Sequence, residues 1–152
     1  MFENATEVQL SYLAGIVDGE GYVGIGTTNG EYFSPVVTIS NSSRELLEYL
    51  QLFAGGRIYH NAKATSRMKS SYHLTWGGAA AVEFCSLLLP YLFLKKPQAE
   101  IVAAFSKCKR NGKNGRLTDE ESLNQAIAYV QVKALNKKGP AEDSSEDPTP
   151  ET

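Results

Sequence analysis

Residues 13–21, with the sequence LAGIVDGEG, join the end of an amphipathic helix to the start of a strand. A capping box formed by Thr6 and Gln9 predicts that the helix begins near Glu7. Gly19 is suited to end the helix, because glycine is common at helix C-termini. The stretch therefore predicts a helix whose last turn leads into the next element of structure.

The residues after this helix have the pattern of a half-buried strand. Apolar Val23 and Ile25 alternate with small or polar residues through Thr28. Glu20 is therefore predicted to lie between helix and sheet, where a carboxylate has no packing role. A solvated acid at a helix end is the ordinary interpretation of an isolated glutamate, and Asp18 is a rival for any chemical role.

The length and composition indicate one domain followed by a polar tail. The chain has 152 residues, enough for a single domain with its own core, which we predict over residues 1–139. We predict an acidic, disordered tail over residues 140–152, because residues 141–152 contain five acids and two prolines and no base. Since the sequence begins without a signal peptide and has no apolar run of membrane-spanning length, we expect an intracellular protein without a membrane partner.

Charge is segregated along the chain, although the net charge is only −2. Without the tail, 12 acids stand against 15 bases. Residues 54–82 and 105–117 contain no acid but several lysines and arginines. A solvated face is the ordinary explanation of one such run, but two separated runs favour a surface that binds a polyanion.

The cysteines and histidines give no sign of a zinc site. Cys85 and Cys108 lie alone in predicted helices, so we expect buried or inert thiols. His60 and His73 have no third ligand at a suitable spacing, which argues against zinc.

Turn signals, capping boxes and apolar periodicity predict the other elements. They are a returning strand over residues 32–40 after Asn29-Gly30, a helix from the capping box Ser42/Glu45 to Gly55, strands over 57–61 and 70–76, helices over 79–89 and from 98 to about 107, and a helix through Ala134 capped by Thr118 and Glu121. The predicted fold class is α+β, in the order αββαββα with further helices.

The stretch LAGIVDGEG resembles the motif that names the LAGLIDADG homing endonucleases. Seven of its nine positions are identical or exchange one apolar residue for another, and the departures are Gly19 for alanine and Glu20 for aspartate. The resemblance covers roughly residues 7–136. It implies a saddle-shaped antiparallel sheet that grips the DNA major groove, with helices packed on the other face.

The motif occurs once, and the resemblance then implies the homodimeric class, in which the motif helices of two copies pack together. Gly15 and Gly19 lie four residues apart, so a partner helix could approach the backbone closely. We predict an interface of Leu13, Gly15, Ile16 and Gly19. The target would then be a long, near-palindromic site in double-stranded DNA.

The resemblance also implies a set of site residues. Glu20 would bind a divalent metal, with the Gly19 carbonyl as a further oxygen ligand. Lys95, three residues before a glutamine, matches the basic residue of the family, although Lys96 is its rival. Magnesium is the natural cofactor, and Mn²⁺ or Ca²⁺ could occupy the same site. One glutamate per chain is a sparse metal site, so the second carboxylate should come from another copy.

Two further positions are predicted to take part in catalysis. Asn41 aligns with an amide residue that orients water near the metal, while a turn and helix cap are the alternative interpretation. Arg44 could reach the same phosphates or be a plain surface residue.

Base and phosphate contacts are predicted on the strand face opposite the apolar set. The residues that alternation or the joining turns place there are Gly24, Gly26, Thr28, Asn29, Tyr32, Thr38, Ser40, Arg57, Tyr59, Asn61, Lys63, Arg67, Lys69, Ser71, His73 and Thr75. Without side chains, Gly24 and Gly26 are expected to admit either a close backbone or water. A one-residue slip in register would exchange the two faces.

We therefore expect a site-specific DNA endonuclease, encoded by an intron or similar element, that leaves 3′ overhangs as the resemblance implies. No small-molecule substrate is expected. Two alternatives are open: an RNA maturase built on the same scaffold, in which the metal-binding acid is often lost, and a DNA-binding regulator without catalysis.

Overall fold

The computed structural model describes residues 2–62, 67, 70–105 and 117–137. Its elements are α1 (Glu7–Glu20), β1 (Gly21–Thr28), β2 (Tyr32–Asn41), α2 (Arg44–Ala54), β3 (Arg57–Ala62), β4 (Ser71–Gly77), α3 (Ala79–Leu88), α4 (Lys96–Ala104) and α5 (Asp119–Asn136). The predicted order of elements is thus confirmed. Cys108, Lys63, Lys69 and the acidic tail lie outside the described residues.

The four strands form one antiparallel sheet in the order β1-β2-β4-β3. One face carries the core, where the buried side chains of Val23, Val37, Ile39, Leu74 and Trp76 meet apolar residues of all five helices. We call the opposite face, which carries mainly small, polar and aromatic residues, the open face. The alternation of apolar and polar residues predicted this division correctly.

The first helix begins where its capping box predicts. The Thr6 hydroxyl accepts a hydrogen bond from the Gln9 backbone N–H at 3.2 Å, and the Gln9 side chain accepts one from the Thr6 N–H at 2.9 Å. The predicted stop at Gly19 is wrong, since α1 continues through Glu20. Gly21, which starts β1, is needed instead because a Cβ there would lie 2.6 Å from the Val17 carbonyl oxygen.

The second helix begins one residue later than predicted. Its N-cap is Ser43, whose hydroxyl accepts a hydrogen bond from the Leu46 N–H at 3.3 Å. Ser42 does not cap the helix because β2 extends to Asn41 and the Asn41 side chain accepts from the Ser43 N–H at 2.7 Å. The capping box predicted for the last helix, between Thr118 and Glu121, is present.

Buried aromatic residues join the sheet to the helices. The Trp76 indole N–H donates to the Ala54 carbonyl at 2.9 Å, and its ring lies 4.3 Å from the Phe84 ring centroid. Cys85 is buried beside them, and burial raises the pKa of its thiol to about 12. The prediction of a buried thiol is confirmed for Cys85. No described helix is long and apolar enough to cross a membrane.

Candidate functional site

Glu20 and Asn41 meet where α1 and β2 end. Glu20 is exposed, and its Oε2 accepts a hydrogen bond of 2.7 Å from Asn41 Nδ2. The Asn41 amide oxygen, Oδ1, accepts from the Ser43 N–H, so Asn41 both holds the acid and contributes to the turn before α2. Both interpretations of Asn41, as a site residue and as a turn residue, are thus compatible with its position. Glu20 Oε1 accepts no hydrogen bond from the described residues and remains open to a ligand.

Asp18, the rival of Glu20, has a structural role. Its two carboxylate oxygens accept hydrogen bonds of 2.9 Å from the backbone N–H groups of Phe93 and Lys95. Both oxygens of this carboxylate are therefore engaged, whereas Glu20 keeps one free. The geometry favours Glu20 as the ligand-binding acid.

The same contacts place Lys95 beside the motif helix. Lys95 is the N-cap residue of α4, and its N–H is bonded to a residue only two positions before Glu20. Its side chain is half-buried, whereas that of Lys96 is exposed. The fold thus places the Lys95 backbone beside the last turns of α1 and leaves Lys96 exposed.

Arg44 is engaged in a surface ion pair. Its Nε donates to Glu48 Oε1 at 2.8 Å, and its guanidinium lies 5.9 Å from the Tyr72 ring centroid. The hydrogen bond and charge of Glu48 raise the pKa of Arg44. Within the described residues Arg44 does not contact Glu20, so a role at the phosphates would require it to leave Glu48.

The oxygen donors at the end of α1 suit a hard cation. The Glu20 carboxylate is exposed, and the Gly19 carbonyl is among the last four of the helix, which have no intrahelical N–H partner. Magnesium takes about six oxygen ligands, several of them water or phosphate. In the described part of the chain, no three His, Cys, Asp or Glu side chains form a cluster that could hold a metal ion. Glu20 and the Gly19 carbonyl would fill only some of the positions around such a cation.

Most of the residues predicted to bind nucleic acid lie on the open face. Strand pairing aligns Thr38 with Thr75 and Ser40 with His73, and the side chains in each pair are hydrogen-bonded at 3.2 Å and 2.7 Å. The described residues of this face and its turn that were predicted to bind DNA are Gly24, Gly26, Thr28, Asn29, Tyr32, Thr38, Ser40, Arg57, Tyr59, Ser71, His73 and Thr75, none of them acidic. The predicted assignment of these strand residues to the face opposite the core is confirmed.

A β-bulge affects Asn61. The pairing of β3 and β4 shifts between His60 and Ala62, and Asn61 Nδ2 donates to Ser71 Oγ at 3.4 Å. Arg67 lies in the loop that follows, and its side chain is exposed. Asn61 is thus connected to the open face through its hydrogen bond to Ser71.

The expectation that Gly24 admits a close backbone or water is wrong. Gly24 is buried, because the ring of Tyr22 lies over it and a Cβ there would overlap that ring. Gly26 is exposed, with only the Ser34 carbonyl near its missing Cβ. Sequence reasoning missed Tyr22, which its position two residues before Gly24 places on the same face.

The exposed stripe of α1 differs in part from the predicted interface. Leu13 is 0% exposed and belongs to the core of its own subunit, so its assignment to a dimer interface is wrong. Ile16 is partly buried, and a Cβ at Gly15 or Gly19 would meet nothing within 4 Å. Val8, which is 79% exposed, and Tyr12 complete the stripe with the two glycines. Their spacing of 8, 12, 15 and 19 is the signal that could have found them.

Comparison with protein families gives one match to a family model. The model, described as a LAGLIDADG-like domain, matches residues 7–88, from the start of α1 to the end of α3. No curated protein matches the chain significantly.

Solved structures with this fold include several homing endonucleases. The homing endonuclease I-CvuI, in complex with its target in the presence of 2 mM Ca, is 23% identical with a TM-score of 0.68, over 88% of this chain and 85% of that chain. An archaeal intron-encoded homing endonuclease, I-Vdi141I complexed with DNA, is 18% identical with a TM-score of 0.66, over 90% and 89%. The group I intron-encoded I-CeuI complexed with DNA is 20% identical with a TM-score of 0.61, over 90% and 70%. At these identities the likeness establishes the shared fold.

Proposed function

Because the chain belongs to the LAGLIDADG-like domain family, we propose that it is a site-specific, metal-dependent endonuclease that hydrolyses phosphodiester bonds in double-stranded DNA. The observation that carries this proposal is the position of Glu20. This exposed carboxylate lies where α1 meets the sheet, held by Asn41 with one oxygen free. A glutamate that is merely a solvated acid at a helix end would not need a side chain that holds its carboxylate in place.

A divalent metal fits the oxygen donors at this position. Glu20 and the Gly19 carbonyl would hold it, and phosphate oxygens, water and the second copy of the chain would complete its ligands. Bound magnesium supplies activation of water and stabilisation of the charge that develops at phosphorus. Complexes of I-CvuI with DNA targets form in the presence of Ca in one case and of Mg, with the DNA not cleaved, in another.

The residues around Glu20 have separate roles in this proposal. Asn41 orients the Glu20 carboxylate, and Lys95 supplies a cation that offsets the negative charge on the reacting phosphate. Asp18 fixes the backbone that carries Lys95. The open face provides the surface that lies along the DNA, with Arg57, His73 and Thr75 among its polar groups.

The active form is a two-fold homodimer in this proposal. A double-strand cut needs two sets of catalytic groups, and one chain carries one motif. The open space at Gly15 and Gly19 supports close packing of two α1 helices. The target is therefore near-palindromic. We further propose that cleavage leaves 3′ overhangs. The protein would act in the compartment that holds the DNA of its host element.

Selection from a random pool tests this function. The full chain is incubated with a library of duplexes in Mg²⁺, and cleaved molecules are recovered and sequenced, with EDTA as the control. We expect a long, near-palindromic site cut on both strands in Mg²⁺ alone. Specific binding of duplex DNA without cleavage would favour the regulator, and specific binding of structured RNA alone would favour the maturase.

A further inference from the structure

Gln98 is a buried polar residue in the first turn of α4. Only 7% of it is exposed, and it is one of two polar or charged residues buried in the described ranges. Its Nε2 donates to Asn136 Oδ1 at 3.2 Å, while its Oε1 has no hydrogen-bond partner among the described residues. A buried carbonyl oxygen without a donor is unusual in folded proteins and indicates an unfilled contact.

The orientation of this amide is fixed by its neighbours. Asn136 Nδ2 donates at 2.8 Å to the Val23 backbone carbonyl, which can only accept. The oxygen of Asn136 must therefore face Gln98, and Gln98 must present its nitrogen in return. The atom left free is then Oε1, because exchange of the Gln98 amide nitrogen and oxygen would set Oε1 against Asn136 Oδ1 and break that hydrogen bond.

These hydrogen bonds connect the helix start that carries Lys95 to the strand that follows Glu20. Gln98 lies three residues after Lys95 at the start of α4, and Val23 lies three residues after Glu20 on β1. Asn136, the last residue of α5, joins them. A second link, from Asp18 to the N–H of Lys95, fixes the backbone but not the side chain of the lysine.

We propose that Gln98 is a positioning residue for Lys95, with its free Oε1 accepting a hydrogen bond from the Lys95 ammonium, directly or through one water. Residues three apart at a helix start lie on the same side. The ammonium has three donors and no acceptor. Lys95 is half-buried, whereas the neighbouring Lys96 is exposed. This inference rests on the proposed function, because it assigns Gln98 a part in DNA cleavage.

Gln98→Met tests the inference, since methionine has a similar length and neither accepts nor donates strongly. We expect the single-turnover cleavage rate at saturating enzyme to fall about tenfold, as for loss of one contact to a charged group. The Kd for uncleaved DNA in Ca²⁺ should stay within about twofold of the parent value. Gln51→Met is the matched control: it removes another glutamine hydrogen bond, to the Gly56 carbonyl, and should leave cleavage unchanged.

A double-mutant cycle separates positioning from a general structural effect. In the Lys95→Met background, Gln98→Met should have no further effect on the rate, because the group that it positions is absent. A further tenfold loss there, or a parental rate in the single variant, would overturn the inference.

A crystal structure of the wild-type protein is a second test that needs no variant. The Lys95 ammonium, or a water bonded to it, should lie within about 3.2 Å of Gln98 Oε1. Any other donor at that oxygen would contradict the inference. Failure of the proposed function and failure of this inference are distinguishable. If the proposed function is wrong, the parent protein does not cleave DNA. The contact at Gln98 Oε1 is tested by the crystal structure whether or not the parent cleaves.

Discussion

Asn41 Nδ2 donates a hydrogen bond of 2.7 Å to Glu20 Oε2, and it ties the end of β2 to the acid that ends α1. The two residues are 21 positions apart, and the sheet brings them together because Gly21 pairs with Ile39. Glu20 is consequently held at the helix end instead of moving freely in solvent. The role proposed for Glu20 depends on this arrangement.

The dual role of Asn41 can be separated with two variants. Asn41→Ala removes the bond to Glu20 and the bond to the Ser43 N–H, whereas Ser43→Ala removes only a helix cap. Both should lower the free energy of unfolding by about 1 kcal/mol. Only Asn41→Ala should slow single-turnover cleavage, by about tenfold. Equal cleavage rates in the two variants, measured beside their denaturant unfolding curves, would assign Asn41 to the helix cap alone.

Substitution of the neighbouring residues Lys95 and Lys96 is predicted to affect the cleavage rate differently. Lys95→Met should slow the chemical step about 100-fold, the scale of one lost electrostatic contact in the transition state, with DNA affinity little changed. Lys96→Met is the control, because its side chain is exposed at the outside of α4. Single-turnover rates measure both effects. Damage from Lys96→Met, with none from Lys95→Met, would show that the wrong lysine is assigned.

The open face and its loop should contribute in different ways to binding. Lys63→Ala and Lys69→Ala should weaken binding to all sequences and reduce its salt dependence, since lysine contacts phosphate. Arg57→Ala or Asn61→Ala should relax the preference at particular base pairs, each by about 1–3 kcal/mol. Affinity measured over a panel of single-base target variants distinguishes the two groups. An unchanged base preference in both Arg57→Ala and Asn61→Ala would remove these residues from sequence recognition.

The dimer interface is tested at Gly15. A leucine there has open space within its own subunit, so Gly15→Leu should fold but prevent close approach of two α1 helices. Such overpacking costs about 1–3 kcal/mol, which is roughly a 5-fold to 150-fold loss of dimer affinity. Ser86→Leu, which introduces the same side chain at an exposed position of α3, is the control. Sedimentation with target DNA measures the number of chains per duplex, and one active chain per duplex would contradict the homodimer.

Features that depend on local periodicity could be predicted from the sequence. The capping boxes at Thr6 and Thr118, the Asn29-Gly30 turn and the alternation of Val23 and Ile25 are each determined by residues close in sequence. They were sufficient for the order of elements and for the two faces of the sheet. The motif then supplied the family.

Features that depend on contacts between distant residues could not be predicted. Asp18 and Glu20 have the same chemistry, and only the fold shows that the Phe93–Lys95 turn, 75 residues or more away, engages Asp18. Leu13 and Gly15 belong to one helix, and its packing decides which of them is exposed. The Tyr22 ring over Gly24 depends on a side-chain conformation that alternation does not determine.

The assignment of Glu20 as the anchor of a catalytic metal can be decided by cleavage measurements on Glu20→Gln with the selected DNA target. The variant keeps the size of the side chain and an oxygen for Asn41, but loses the negative charge beside the phosphates. Single-turnover cleavage in Mg²⁺ should be abolished, while DNA affinity should be unchanged or improved. Cleavage by Glu20→Gln near the parent rate would contradict the account.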